Sequence, residues 1–414
     1  MIEGIILAIL LLLLPSQFGR HFWPSEAYLF GLKVDYLSPT LYLQDLCLLL
    51  LFLFSVKRNR KKFFSEKKHL ILAGLYVLIS SLNIGFSPNP QVSFFSWLRI
   101  TELVFLGWFV SQNAGQVFSL LGRILPLTLV FEFFLSLRQA ISQSSQGGLF
   151  WFLGERSFTI FTPGIARGSW LGKVLLRPYG TFSHPNSLAG FTLVALILIF
   201  GKRKLSLFDR LAISLGFILL LLTFSRAAWL AALILGLLFL LNQLKLGFLR
   251  KTSLRRFPFL ASIFSLPLLT YFFSRTTIDS SSFLIRRELA EFSLQEMREN
   301  PLIGFGAGRF VISLSQNRPV WQWLYWLQPV HNIFLLVTAE GGFFGLALFG
   351  YWVFGGLFSL LKKTKDASTW AILLALGAIL LTGLFDHYWL TLIQNQLFFA
   401  VVLGLSWGVA GKNP

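Results

Sequence analysis

Hydrophobic positions in this chain form long unbroken runs rather than helical or strand-spaced stripes, and polar residues are confined to the gaps between them. A helix that is apolar all round belongs in a membrane or deep in a large core, and crossing a bilayer takes about 20 such residues. The runs 43–56, 70–84, 94–110, 117–137, 188–200, 257–273, 330–360, 370–384 and 390–409 read as crossings. The run 211–241 is different. As a helix it would be about 46 Å long at 1.5 Å per residue, well beyond a hydrocarbon core of about 30 Å. It is broken only at Thr223-Phe224-Ser225-Arg226, and it is flanked by Arg210 on one side and by Lys245, Arg250 and Lys251 on the other. Basic flanks mark cytoplasmic ends, so the run is expected to fold back near Ser225 with Arg226 at the outer turn. The first run, 5–14, is short, follows Glu3 instead of a basic stretch, and ends in Pro15-Ser16-Gln17, which is no small-residue cleavage site. It is expected to stay attached, either as a crossing or as a tilted helix. The fold class is therefore an all-α integral membrane protein, a single polytopic domain over 1–414, with about twelve transmembrane helices, or eleven if the first run does not cross.

Composition adds the solvent and the partners. With 55% hydrophobic and 13% charged residues, the chain has more apolar sequence than a soluble core can use. The net charge of +19 would suit nucleic acid, but in a membrane protein cations gather in cytoplasmic loops and face anionic lipid. The bilayer, not nucleic acid, is the expected partner. The densest basic cluster, Lys57, Arg58, Arg60, Lys61, Lys62, Lys67 and Lys68, fixes the cytoplasmic side and places both termini there. Cys47 is the only cysteine, which excludes an intrachain disulfide or a thiolate metal cluster. The histidines are scattered and form no H-E-x-x-H pattern, so no metal is expected.

Two polar intervals, 139–186 and 274–329, fall on the outer side. The second holds Arg286, Arg287, the glycine run Gly304-x-Gly306-x-Gly308 and the aromatics Trp321, Trp323, Tyr325 and Trp326, and is expected to be the catalytic loop. The outer face carries Arg156, Arg167, Arg177, Arg226, Arg275, Arg286, Arg287, Arg298, Arg309 and Arg318 against only Lys33 and Lys173. The planar guanidinium fork binds phosphate in two-pronged fashion, so this face suits phosphate. About half of these arginines, chiefly Arg156, Arg275 and Arg318, are expected to reach for lipid headgroups instead. Glu102 and Glu132 are intramembrane acids, with Arg99 or Arg123 as expected partners. His184 reads as a turn residue. His387, beside Asp386, is expected to orient a ring, bind an acceptor or make a structural hydrogen bond.

One order of motifs is informative. Arg177-Pro-Tyr-Gly180-Thr181-Phe182-Ser-His184-Pro185-Asn186 precedes a crossing, Ser225-Arg226 sits at the next outer turn, Arg286 lies fifteen residues before Pro301, and His331-Asn332 is followed by Glu340-Gly341 and Gly345. From 177 to 345 the chain resembles the O-antigen ligase and O-antigen polymerase family. That resemblance implies a GT-C-like glycosyltransferase that moves a glycan from an undecaprenyl-diphosphate carrier to a glycan or glycolipid acceptor. The reaction would take place on the outer face of the cytoplasmic membrane and need no cofactor. It implies Arg226 and Arg286 as diphosphate contacts and His331 as the base. Around them Arg177, Arg287, Asn186, Asn332, Gly304, Gly306, Glu340, Asp386 and His387 are expected to bind substrate. The family's tryptophan a few positions after the loop arginine is Ala290 here, so Arg286 and Arg287 stay interchangeable at this level. The chemistry suits the residues. Preorganised guanidinium groups can neutralise a departing lipid diphosphate, and a histidine at a helix start, ionising near 6 to 7, can take the proton of an acceptor hydroxyl. The glycine run lacks the strand–turn–helix setting of a nucleotide fingerprint and reads as a hinge or as a close approach to the carrier lipid. Ligase and polymerase remain equivalent readings. A transporter of the same lipid is the alternative, disfavoured because the polar residues cluster at one surface without an internal repeat.

Overall fold

The computed structural model describes residues 2–63, 67–170, 172–245, 280–317, 327–362 and 366–411. The expected crossing at 257–273, the aromatics Trp321 to Trp326, and Arg275 and Arg318 lie outside the described residues. The protein is an all-α membrane protein. Its elements in chain order begin α1 (Ile2–Leu12), β1 (Gly19–His21), β2 (Tyr28–Leu29), β3 (Leu32–Lys33) and β4 (Thr40–Tyr42). Then come α2 (Leu43–Phe63), α3 (Lys67–Gly85), α4 (Pro90–Gln112), α5 (Ala114–Ser142), α6 (Leu149–Phe152), β5 (Arg167–Trp170) and β6 (Lys173–Leu176). The remainder is α7 (Pro185–Phe200), α8 (Leu207–Leu222), α9 (Arg226–Lys245), α10 (Ser280–Glu299), α11 (Phe310–Asn317), α12 (Ile333–Leu361), α13 (Ala367–Gly383), α14 (Tyr388–Thr391) and α15 (Ile393–Gly411). Among the described residues three helices, α4, α5 and α12, are long and apolar enough to cross a bilayer, and shorter apolar helices surround them.

The run 211–241 breaks where its charges require. α8 ends at Leu222, Phe224 takes a left-handed φ of 52°, and α9 starts at Arg226. α7 is the centre of the bundle, with Leu188 to Ala195 buried without interruption, and it packs on α5, α8 and α13. Close approach relies on small residues, as is usual where lipid supplies no hydrophobic drive. A Cβ on Gly190 of α7 would come within 2.4 Å of the Tyr388 hydroxyl.

The interval 274–329 departs from expectation. It is not an open loop, because its described part holds α10 and α11, and the turn between them is pinned to α12. α12 is broken at Gly342, where φ is 62° and ψ −163°. A broken helix in an apolar setting leaves carbonyls and amides that must find partners within the protein. The 301–306 segment supplies them. Phe305 N donates to Ala339 O and Gly306 N to Glu340 O, both at 3.1 Å, while Phe343 N donates to Pro301 O at 2.8 Å and Phe344 N to Leu302 O at 3.1 Å. Asn83 seals the joint, donating through Nδ2 to Ile303 O and Glu340 O at 2.8 Å and accepting at Oδ1 from Trp97 Nε1 and Ala307 N. Gly304 (φ 73°) has room for no Cβ, which would lie 2.4 Å from the Glu340 carbonyl carbon. The close approach expected toward a carrier lipid is thus made to protein backbone. Glu340 belongs to the same joint, accepting from Phe310 N at 3.1 Å at the start of α11.

The intramembrane acids divide as well. Glu102 pairs with Arg99 at 2.7 Å as expected. Glu132 pairs with neither arginine but accepts from Thr181 Oγ1 and Thr181 N at 2.6 and 3.1 Å. Together with Gln139, which accepts from Tyr179 N and Gly180 N, it fixes the segment that carries Arg177 and His184.

Candidate active site

Three segments far apart in sequence meet at one end of the bundle: the approach to α7, the start of α12 and the turn between α13 and α14. The first begins with Arg177, which follows β6 and is held at both ends of its fork. Its Nε donates to Thr223 O in the α8–α9 turn at 2.8 Å, and its Nη2 donates to Asn186 Oδ1 at 2.5 Å. Asn186 passes the contact on, donating through Nδ2 to Asp386 Oδ2 at 2.8 Å. Its own place is set by the helix start. His184 caps α7 by accepting Asn186 N at Nδ1 (3.1 Å), and Pro185 fills the first helical position, where no amide is needed. The turn role expected for His184 is therefore a cap.

Asp386 is only 5% exposed and also accepts from His387 N at 2.8 Å. Burial alone would raise its pKa, but its coupling to His331, His387 and the Arg286 guanidinium holds it well below the usual carboxylate range. His387 is buried, its Nδ1 lies 2.7 Å from Thr391 Oγ1, and the Tyr36 ring meets it edge-on at 5.6 Å. Tyr36 comes from the β2–β4 region, which no sequence signal linked to this site.

His331 stands two residues before α12, with its ring edge-on to that of His387 at 5.2 Å. Its Nδ1 is buried and has no hydrogen-bond partner among the described residues. Burial pushes its pKa down to about 3, with Asp386 pulling the other way and His387 and Arg286 adding to the drop. The ionisation near 6 to 7 expected from sequence is thus displaced, and the ring is a neutral imidazole at working pH. The capping role that could have explained His331 falls to its neighbour. Asn332 Oδ1 accepts Phe334 N and Leu335 N at 2.9 and 3.1 Å, and its Nδ2 donates to Leu384 O at 3.2 Å.

α10 separates the doubled arginines. Leu289 and Phe292 are fully buried, so the face that carries them is inward, and Arg286 lies on that side, donating to Phe385 O at 2.6 Å next to Asp386. Arg287 points to solvent and pairs with Glu291 at 2.7 Å along the helix. Arg226 is half-buried at the start of α9. Burial, with smaller contributions from nearby Arg286 and Arg226, brings Arg177 down to about 10. Three guanidinium groups therefore share one small region. Arg309 and Arg156 do other work: Arg309 is buried and fastened to Asn89 and Phe305 O, and Arg156 reaches Ser183 O and Asp35.

Two further features bear on chemistry. The histidines that look scattered in sequence converge, since His331, Asp386 and His387 each offer a ligand atom and these atoms lie within 4.8 Å of one another. An apolar cavity of about 1350 Å³ runs along α4 and reaches Tyr36, Trp389 and Thr391 beside the His387 ring.

Residues 211–350 match the family model of O-antigen ligase. Over that stretch the chain is similar to the O-antigen ligase family. The matched stretch runs from within α8 to within α12 and takes in Arg226, Arg286 and His331, whereas Arg177, Asn186, Asp386 and His387 lie outside it. Over 357 residues the chain is also 26% identical to the ComP-specific O-oligosaccharyltransferase of Acinetobacter baylyi (strain ATCC 33305 / BD413 / ADP1). The match covers 80% of this chain and 60% of that protein's length.

Proposed function

We propose that the chain is a glycosyltransferase that moves a glycan from an undecaprenyl-diphosphate carrier to a hydroxyl-bearing glycan or glycolipid acceptor, as a ligase or a polymerase. It acts at the outer face of the cytoplasmic membrane, with about twelve crossings set by the basic loops. The observation that carries this reading is the convergence of Arg177, Arg226 and Arg286 beside a neutral His331. Like charges held together by the protein favour an anion that separates them, and a diphosphate supplies two anionic groups at guanidinium spacing.

In this reading the arginines bind the donor's diphosphate and the cavity along α4 accommodates apolar substrate. His331 takes the proton of the acceptor hydroxyl as its oxygen attacks the anomeric carbon. As that bond forms, the carbon–oxygen bond to the diphosphate breaks, the bonding pair leaves with the carrier, and the proton stays on His331. Asp386 stabilises the imidazolium that forms, and Asn186 keeps that carboxylate in place. Arg226 and Arg286 offset the charge that develops on the leaving diphosphate, the task a metal ion performs in many phosphate enzymes. Arg287, Gly304, Gly306 and Asn332, expected from sequence to bind substrate, serve surface pairing, the α12 joint and helix capping, while Glu340 both belongs to that joint and lines the cavity.

The division of labour is tested by chelation. Protein washed with EDTA should transfer glycan at its original rate, since the charge-neutralising groups are side chains. A loss restored by magnesium or manganese would show that they are not.

A further inference from the structure

We propose that His331, Asp386 and His387 form a site for a borderline transition-metal dication of the Zn2+ class, and that filling it switches transfer off. The inhibitory half rests on His331 being the base; the binding half does not. Two imidazoles and one carboxylate, brought from two separate segments, already place one ligand atom each within 4.8 Å of the others. Tetrahedral zinc with bonds of about 2.0 to 2.2 Å needs neighbouring ligand atoms about 3.3 Å apart, so side-chain rotation covers the difference.

A second observation points the same way. His331 Nδ1 is buried with no hydrogen-bond partner among the described residues, an arrangement that costs free energy unless something fills it. The supports expected around metal ligands are also present. Asp386 is oriented by Asn186 Nδ2 and by the His387 amide, and His387 Nδ1 lies against Thr391 Oγ1, leaving Nε2 for coordination.

The donor set decides the ion. Nitrogen, nitrogen and a single carboxylate suit zinc, copper or nickel, whereas magnesium and calcium require an oxygen-rich shell. Arg177 and Arg286 lie close and oppose a dication, which weakens binding. A metal held by His331 occupies the lone pair that would accept the acceptor's proton. The site therefore inhibits rather than assists.

The test uses the full-length protein in detergent, stripped of metal and dialysed against Zn2+, with transfer measured across the same concentrations. One Zn2+ per chain should bind, and transfer should fall in step with occupancy and return with EDTA. His331→Gln and His387→Gln should each weaken binding about tenfold or more, while His21→Gln, on the β1 strand, leaves it unchanged. Absence of a binding site, or one that survives both variants, overturns the metal site and leaves the glycosyltransferase reading standing. A full site with undiminished transfer overturns the inhibition and, with it, His331 as the base.

Discussion

Replacing His331 with glutamine should lower glycan transfer by about 10² to 10⁴, the usual worth of a general base, without loss of protein or of carrier binding. The geometry removes the competing explanation, because the start of α12 is capped by Asn332 and the His331 ring takes no part in that cap. Glutamine can fill the space but cannot accept a proton at neutral pH. The pH dependence is the more discriminating readout. The active form of the base is the neutral one and its pKa in the free protein is about 3, so activity is lost only as pH falls toward that value. The profile of kcat/KM, which reports the free enzyme, should therefore show no acid limb between pH 8 and 5. Bound diphosphate adds negative charge beside the ring and raises its pKa, so the acid limb of kcat should lie at higher pH than that of kcat/KM. A kcat/KM limb at 6 to 7, or a glutamine variant with wild-type turnover, contradicts the assignment.

Arg286→Lys should fail almost as completely as Arg286→Ala, by about 10²-fold or more, and Arg226→Lys likewise. A lysine keeps the charge but presents one compact ammonium where the guanidinium presents a planar fork, so it cannot hold a backbone carbonyl and a phosphate together. For Arg286 the carbonyl is that of Phe385, next to Asp386. The neighbouring residue is the internal control. Arg287 is exposed, its partner Glu291 lies on its own helix, and surface pairs of that kind contribute little. Arg287→Lys should be indistinguishable from wild type in transfer kinetics. Near-normal turnover in Arg286→Lys, with a loss in Arg287→Lys, would reverse the helix register described above.

Much of this was legible in the sequence where hydrophobicity and charge agree. The fold-back at Ser225 follows from a run too long for one crossing with basic residues at both ends, and the turn falls where those two facts place it. The family resemblance, drawn from an order of short motifs, is upheld by the match over 211–350. What escaped were contacts between segments far apart. Glu132 looked like half of an ion pair, yet its partner is Thr181, which only the fold brings near. That Glu340 and the glycine run also repair a broken helix was not legible, because such a repair uses the same residue types as a binding loop. α10 was missed because its polar residues hide its two deeply buried apolar positions, Leu289 and Phe292; spacing from those two would have put Arg286 inward and Arg287 outward. The metal-competent triad was overlooked for the same reason, since His331 lies 55 residues before Asp386 in the chain.

The most direct test of the account counts bonds broken. Purified protein in vesicles, given a polyprenyl-diphosphate-linked glycan and a hydroxyl-bearing acceptor, should release one carrier diphosphate for each glycan found on the acceptor. Arg286→Lys and His331→Gln should depress both counts together. Movement of the intact lipid-linked glycan across the vesicle membrane, with no diphosphate released, would contradict the account and identify a transporter.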